Sequence, residues 1–252
     1  MAAHPMGKAD LHIHTNFGDG LDSVEAILEH VEAATDLDVI AITEHDRLEV
    51  ALRAREVWAR RGYAYDFVPG VELTTLEGHV VALYLEEPVA SLRRVEETIE
   101  AVHRQGGVCF VPHPMSRLTR SIGARTMDRL AANELRFDGM ELATASPTAR
   151  LYMSKAARLN RERYHLASVG ASDAHFRQAI GSGFTRFEGT RGADLRAAFA
   201  SSSVSGEQRR FPNLREIGLL RALALPIAGL RATPNQLGWR RTAWSFVSRN
   251  RT

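Results

Sequence analysis

The sequence predicts an α/β fold in which the strands of a barrel or open sheet alternate with helices. Three observations carry that expectation. Short apolar, β-branched runs of strand length alternate with longer stretches of helical periodicity. Polar clusters rich in His, Asp and Glu recur at the ends of the apolar runs, where the active sites of α/β sheets and barrels gather. The chain has 252 residues, 44% apolar and 25% charged, which suits one globular domain with a short extension.

From the amino terminus, Asp10-Leu11-His12-Ile13-His14 alternates polar and apolar residues. On a strand this puts Asp10, His12 and His14 on one side, and Leu11 and Ile13 on the other. Two imidazoles on one side of a strand end begin a metal site, because neutral imidazole is the commonest protein ligand for divalent transition metals. Residues 24–35 read as a helix, and 39–43 as a buried strand ending in Glu44-His45-Asp46. A helix over 49–61 leads to a strand over 67–73 with Glu72 near its end. Residues 78–84 start with His79 and read as the return arm of a hairpin after Thr75. Residues 92–105 are helical, and the strand 107–111 runs into Pro112-His113-Pro114. A helix over 126–133 precedes the strand 137–142, which carries Glu141 near its end. A helix over 148–163 precedes the strand 167–171, which runs into Ser172-Asp173-Ala174-His175. The last periodic stretch of this region is a helix over 193–200.

The polar clusters form a series: Asp10-Leu11-His12-Ile13-His14-Thr15, Thr43-Glu44-His45-Asp46, Gly70-Val71-Glu72, Gly78-His79, Pro112-His113-Pro114 and Ser172-Asp173-Ala174-His175. In content and order these six motifs resemble the PHP (polymerase and histidinol phosphatase) superfamily of metal-dependent phosphoesterases, from about residue 8 to about residue 188. The resemblance implies a distorted (β/α)7 barrel with two or three divalent metals at its top. It implies a first metal on His12, His14, Glu72 and Asp173, and a second on Glu72, His79 and His113, with Glu72 bridging. A third, completing a trinuclear site, would take Asp19, His45 and His175. Glu72, Asp173 and His175 are the expected catalytic residues. Glu44 stands where the family commonly has Asp and is not expected to be a ligand.

The residue chemistry agrees. Six His and three carboxylates form a borderline-hard ligand set suited to Mn, Fe or Zn rather than to a thiolate site. Paired metals supply a hydroxide nucleophile at neutral pH and grip a phosphoryl oxygen, so no protein nucleophile is needed. Asp10 is expected behind the ligands, orienting an imidazole or a backbone group. Arg117 and Arg120 follow Pro112-His113-Pro114, and either they hold a substrate phosphate or they belong to a solvated basic loop. Lys155 and Arg177 are further basic candidates. The expected function is hydrolysis of a phosphoester of a small phosphorylated metabolite or nucleotide by a metal-bound hydroxide. An exonuclease-like phosphodiesterase acting on oligonucleotide ends and a non-catalytic, metal-stabilised binding module are the alternatives. A degenerate module would have lost ligands, whereas all nine positions hold competent residue types.

Charge divides the chain. Residues 205–252 hold nine Arg, no Lys and two Glu, or +7, which leaves −5 on residues 1–204. An acidic barrel disfavours a long nucleic acid lying across it. The expected domains are a metallo-hydrolase barrel over 1–204 and a basic C-terminal helical extension over 205–252. Leu214, Ile217, Leu220 and Ala224 lie at helical spacing, and Pro226 is expected to end that helix. Beyond it, Trp239, Trp244 and Phe246 interleave with Arg240 and Arg241. The extension either packs on the barrel, contacts nucleic acid phosphates, or binds an anionic membrane or another protein. His30, His103 and His165 read as structural or solvated, His4 as part of a loose terminus, and the single Cys109 as a core residue. With no apolar leader and no run of eighteen apolar residues, a cytoplasmic location is expected.

Overall fold

In a computed structural model, which describes residues 5–236, the apolar runs build one curved sheet. β1 (Met6–Asp10), β2 (Val39–Ile42) and β3 (Asp66–Thr74) are parallel neighbours. β4 (His79–Leu83) returns from β3 as the hairpin arm and is antiparallel both to β3 and to β5 (Val108–Val111). β5, β6 (Gly139–Ala143) and β7 (Ala167–Gly170) are parallel again. On the far side of β1, β8 (Gly183–Glu188) and β9 (Ser205–Gln208) join antiparallel. The order is β7-β6-β5-β4-β3-β2-β1-β8-β9. The ends of this row meet: the Thr185 hydroxyl on β8 accepts from Gly170 N at 3.0 Å and donates to Gly170 O at 2.8 Å. The fold is thus the expected distorted α/β barrel, nearly closed.

Strand alternation sorts the core into an inner and an outer set. Val39 and Ala41 on β2, Val81 and Leu83 on β4, and Val108 and Phe110 on β5 share the inner cluster with Phe187 of β8. Their neighbours Ile40, Ile42, Val80, Ala82, Cys109 and Val111 face the helices. α1 (Val24–Ala34) and α2 (Leu48–Arg61) cover one flank. α3 (Val95–Arg104), α4 (Ala124–Ala132) and α5 (Pro147–Leu159) cover the other. α3 starts three residues later than periodicity predicts, because Leu92 takes a left-handed φ of 57° and donates its N–H to Thr74 O. α6 (Gly192–Ala200) presses Leu195, Ala198 and Phe199 into the inner cluster from the end where β3 begins. There Asp66 accepts from Gly192 N at 2.9 Å. The opposite end, where the parallel strands finish, is left to polar residues.

One sequence expectation changes at β1. The ladder stops at Asp10 and resumes as a bridge between Ile13 and Ala174. Leu11 stays with Ala9 in the inner cluster, whereas Ile13 packs outside with Ile40 and Ile42. The alternation therefore shifts phase between them. Asp10 does not share a side with the histidines; it turns to the amides of Ser172 (3.0 Å) and Gly181 (2.7 Å).

The extension differs as well. The expected boundary at residue 204 falls directly before β9, which pairs with β8, so the sheet runs past it. We propose that the division lies after Gln208. α7 (Leu214–Ile217) ends at Gly218 (φ 85°), and α8 (Leu219–Gln236) passes through Pro226 rather than stopping there. Of the predicted stripe Leu214, Ile217, Leu220 and Ala224, Ile217 packs, together with Ala222 and Leu225 and an ion pair from Arg221 to Asp22, whereas Leu214 and Leu220 are exposed. Trp239, Arg240, Arg241, Trp244 and Phe246, like His4, lie outside the described residues.

The seam at Gly170 has no room: a Cβ there would meet Phe184 O at 2.1 Å. Gly170→Val is expected to lower stability by about 1–3 kcal/mol or more, read as a fall in the thermal midpoint. An unchanged midpoint would show that the seam does not constrain the barrel.

Candidate metal centre

The nine predicted side chains converge at the carboxyl end of the parallel strands. His12 and His14 follow β1, Asp19 lies in the loop to α1, and His45 follows β2. Glu72 is on β3 itself, His113 follows β5, and Asp173 and His175 follow β7. His79 reaches the same end because it opens β4, the strand that runs the other way. His113 (φ 29°) and Asp173 (φ 51°) hold left-handed backbone conformations, which cost energy in non-glycine residues and cluster at functional sites.

Three groups of donor atoms result. His12 Nε2, His14 Nε2, Glu72 Oε2 and Asp173 Oδ1 form the first. Within it, His12 lies 3.1 Å from His14, 3.2 Å from Glu72 and 3.5 Å from Asp173. His14 lies 3.4 Å from both carboxylates. For bonds of ~2.1 Å to a central cation, neighbouring ligands sit ~3.4 Å apart in a tetrahedron and ~3.0 Å apart in an octahedron. The separations of 3.1 to 3.5 Å lie close to those edge lengths. The other Glu72 oxygen, Oε1, lies 2.8 Å from His79 Nδ1 and 3.1 Å from His113 Nε2. In the third group Asp19 Oδ2 is 3.4 Å from both His45 Nε2 and His175 Nε2.

Hydrogen bonding alone does not account for this packing. His79 Nδ1 is 2.8 Å from a carboxylate oxygen yet makes no hydrogen bond to it. His79 Nε2, His14 Nδ1 and His45 Nδ1 are also buried without a hydrogen-bond partner. Buried polar atoms are normally satisfied. Buried ring nitrogens left unsatisfied inside a cluster of carboxylates are what a cation would require, so the residues fit divalent metal.

The outer nitrogens are held by the fold. His175 Nδ1 donates to Asp173 O at 3.0 Å, which leaves Nε2 for Asp19. The Ser121 hydroxyl donates to His113 O (2.7 Å), and its oxygen lies 2.9 Å from His113 Nδ1, which leaves Nε2 free. Buried Glu141 stands 3.4 Å behind His12 Nδ1 and accepts from His113 N at 3.3 Å. Such backing fixes ring tautomer and orientation. Glu44, expected outside the ligand set, lies 3.5 Å behind His14 Nδ1 and accepts from Thr15 N and Oγ1. A Cβ on Gly18 would sit 2.1 Å from Glu44, so a glycine lets the Asp19 loop close over that carboxylate. Sequence reading placed Glu141 near a strand end without giving it a role, and missed Ser121. A charged residue inside the apolar run 137–142 was a signal for Glu141; nothing in the sequence marks Ser121.

The electrostatics describe a site that attracts positive charge. Burial opposes ionisation of Glu72, but His45, His79 and His12 around it outweigh that cost and hold it well below the usual carboxylate range. Asp19 and Asp173 are lowered in the same way by the imidazoles beside them. Burial pulls His12 toward neutrality, yet Asp173 and Glu72 raise it to about 10. His14 and His45 are raised too, whereas burial prevails at His79 and lowers it. Asp10, ringed by amides but fully buried, is pushed up to about 6 by desolvation.

A cleft of about 350 Å³ opens onto the three groups. Besides site residues it is lined by Leu118, Thr119 and Arg120. Arg120 also donates to Thr75 O at 3.0 Å. Arg117 is exposed on the same loop and does not line the cleft. Lys155 is exposed on α5, and Arg177 is turned to Asp22, 3.8 Å away.

Comparison with known proteins places the chain in context. The model of a family described as PHP-associated matches residues 154–204. An uncharacterized protein of Methanocaldococcus jannaschii is 32% identical over 149 residues, which span 55% of this chain and 82% of that one. The 5'-3' exoribonuclease Rnm of Escherichia coli is 37% identical over 81 residues, but these are only 31% of this chain and 27% of that enzyme. Among solved structures, a two-domain Bacteroides vulgatus protein containing a predicted PHP-like metal-dependent phosphoesterase superposes with a TM-score of 0.65 at 20% identity. That superposition covers 84% of this chain and 66% of the other.

Two measurements probe the centre. Glu72→Gln replaces an anion with two lone-pair-bearing oxygens by a neutral amide with one, so bound metal, read by elemental analysis, should fall while the circular dichroism spectrum holds. Unchanged metal content would exclude a bridging role. In chelated protein, the raised His12 value stabilises the fold fully below the unfolded value of 6.5 and less as pH rises toward about 10. Metal replaces those protons, so the gap in thermal midpoint between Mn-loaded and chelated protein should widen from pH 6.5 upward. A constant gap would contradict the coupling.

Proposed function

Because the chain belongs to the PHP superfamily of metal-dependent phosphoesterases, we propose that it hydrolyses a phosphoester of a small phosphorylated metabolite or nucleotide. The observation that carries this reading is the shared Glu72 carboxylate, one oxygen facing His12 and His14 and the other facing His79 and His113. The ligands in this reading are His12, His14, Glu72 and Asp173 for one cation, Glu72, His79 and His113 for a second, and Asp19, His45 and His175 for a third. When bound, divalent cations there supply Lewis acidity, which acidifies water and offsets phosphate charge.

The chain's own groups do the rest. Arg120 reaches the cleft and offers a planar, permanently charged fork for two phosphate oxygens. Its bond to Thr75 O fixes the side chain before substrate arrives, so little rotamer entropy remains to be lost. Glu72 and Asp173 stay ionised across the working pH range. His175 borders the cleft with Nδ1 donating to Asp173 O, which fixes the ring and keeps the Nε2 lone pair turned toward Asp19 as a ligand atom. Leu118 gives the wall an apolar patch against the rest of the substrate.

The cleft volume, near the low end of the range for small-molecule sites, favours a compact substrate. The similarity to an exoribonuclease favours a second reading, a phosphodiester at an oligonucleotide end. Hydrolysis assays with Mn against phosphomonoesters, nucleoside bisphosphates and short oligonucleotides separate the two. Activity on the first two classes that chelation removes supports the primary reading, and turnover of oligonucleotide ends alone would replace it. Arg120→Ala should lower kcat/KM by on the order of 10²-fold, with metal content unchanged. Arg117→Ala should have a much smaller effect. Equal and negligible losses would return both residues to the solvated loop.

A further inference from the structure

The C-terminal helix leaves its most apolar face bare. Arg221, Ala222 and Leu225 of α8 turn toward the barrel. Leu219, Leu220, Leu223, Ile227 and Leu230 are 61, 83, 61, 52 and 75% exposed. At about 100° per residue these five side chains fall within an arc of roughly 100°, opposite the packed face. Large aliphatic groups gathered on one exposed face mark an interaction surface. Charge gives the second observation: beyond Arg221, which pairs with Asp22, the sequence to Thr252 has five Arg and no acidic residue. Trp239, Trp244 and Phe246 are interleaved with Arg240, Arg241, Arg249 and Arg251 in that stretch.

We propose that α8 docks this protein on an anionic lipid surface. In that arrangement the aliphatic face of α8 enters the boundary of headgroups and acyl chains, and arginines meet the lipid phosphates. Among the described residues no helix is long and apolar enough to cross a membrane, so the helix lies on the surface and does not span it. Nucleic acid would use the arginines but has no use for five aliphatic groups on one face. A second copy could cover the leucines, but it would bring together two copies of an acid-free, arginine-rich sequence. Only an anionic apolar surface matches both observations, and the inference does not depend on the hydrolytic reading.

Vesicle co-sedimentation of the full chain tests it. Binding is expected to vesicles of phosphatidylcholine mixed with phosphatidylglycerol, not to phosphatidylcholine alone, and should weaken as salt is added. Arg240→Gln combined with Arg241→Gln should lower affinity roughly 25-fold, at about fivefold per arginine. Leu223→Gln combined with Ile227→Gln should abolish binding without changing the thermal midpoint, because both side chains face solvent. Failure to bind anionic vesicles at low salt overturns the proposal. So does a dimer, seen by light scattering, that the leucine variant dissociates, or RNA binding that the leucine variant retains in a chain that ignores vesicles.

Discussion

The carboxylate of Glu72 is the constraint around which the upper end of the barrel is arranged. It is almost wholly buried, and five imidazoles surround it: His12, His14 and His45 at Oε2, His79 and His113 at Oε1. A buried anion costs several kcal/mol unless opposite charge accompanies it. Three different loops and the start of an antiparallel strand deliver those imidazoles. If β4 ran parallel, His79 would lie at the opposite end and Oε1 would lose one partner. The β3–β4 hairpin is therefore part of the site's chemistry as much as of the fold. Cations, as protons or as metal, are the only species that satisfy so many carboxylates at once, which links the stability of the barrel's top to what the site binds.

Much of this was legible because strands impose a period of two and because their carboxyl ends collect polar residues. His12, His14, His45, His79, His113 and His175 all stand at boundaries between apolar runs and turns. What could not be read depends on contacts distant in sequence. The phase shift after Asp10 arises because its carboxylate finds amides at residues 172 and 181, more than 160 positions away. β9, Ser-Gly-Glu-Gln, is polar and small, and becomes a strand because β8 offers it an edge. Pro226 does not end α8; Gly218 makes the break instead, since only a residue without Cβ takes its backbone angles cheaply. Glu141 was visible as a charge in an apolar strand, but its role required knowing that β6 lies beside β5, which runs into His113.

The seam between β7 and β8 shows how packing at the barrel wall governs the site. Gly170, Gly183 and Gly206 each lie against backbone atoms of the facing segment, within distances no side chain tolerates. This close approach lets Thr185 reach the main chain of Gly170, three residues before Asp173. Asp173 holds a left-handed backbone angle that the surrounding structure must enforce. On one side the seam fixes Gly170; on the other, Ala174 N and O bridge to His12 O and His14 N at 3.1 and 2.8 Å. Asp173 is thus clamped between two sets of main-chain bonds, and its carboxylate is aimed without any side-chain partner of its own class.

The three donor groups differ in what supports them. Those sharing Glu72 are held by strands and by residues immediately beyond them. The group of Asp19, His45 and His175 relies on the loop from Thr15 to Asp22, which has no regular structure to hold it. Asp22 takes over that task. Its carbonyl accepts from Asn16 N at 2.8 Å, and its carboxylate accepts from Arg177 N at 2.8 Å and from Arg221 of α8. Leu21 N donates to His175 O at 2.8 Å, which ties the same loop to a second member of the group. The basic extension, which looks separable by composition, therefore ends its packed portion on the one loop that most needs anchoring. An arginine ion pair with a buried carboxylate is worth more than its exposed counterpart. It ties the loop that carries Asp19 to the C-terminal helix, while the inner two groups are held by the sheet.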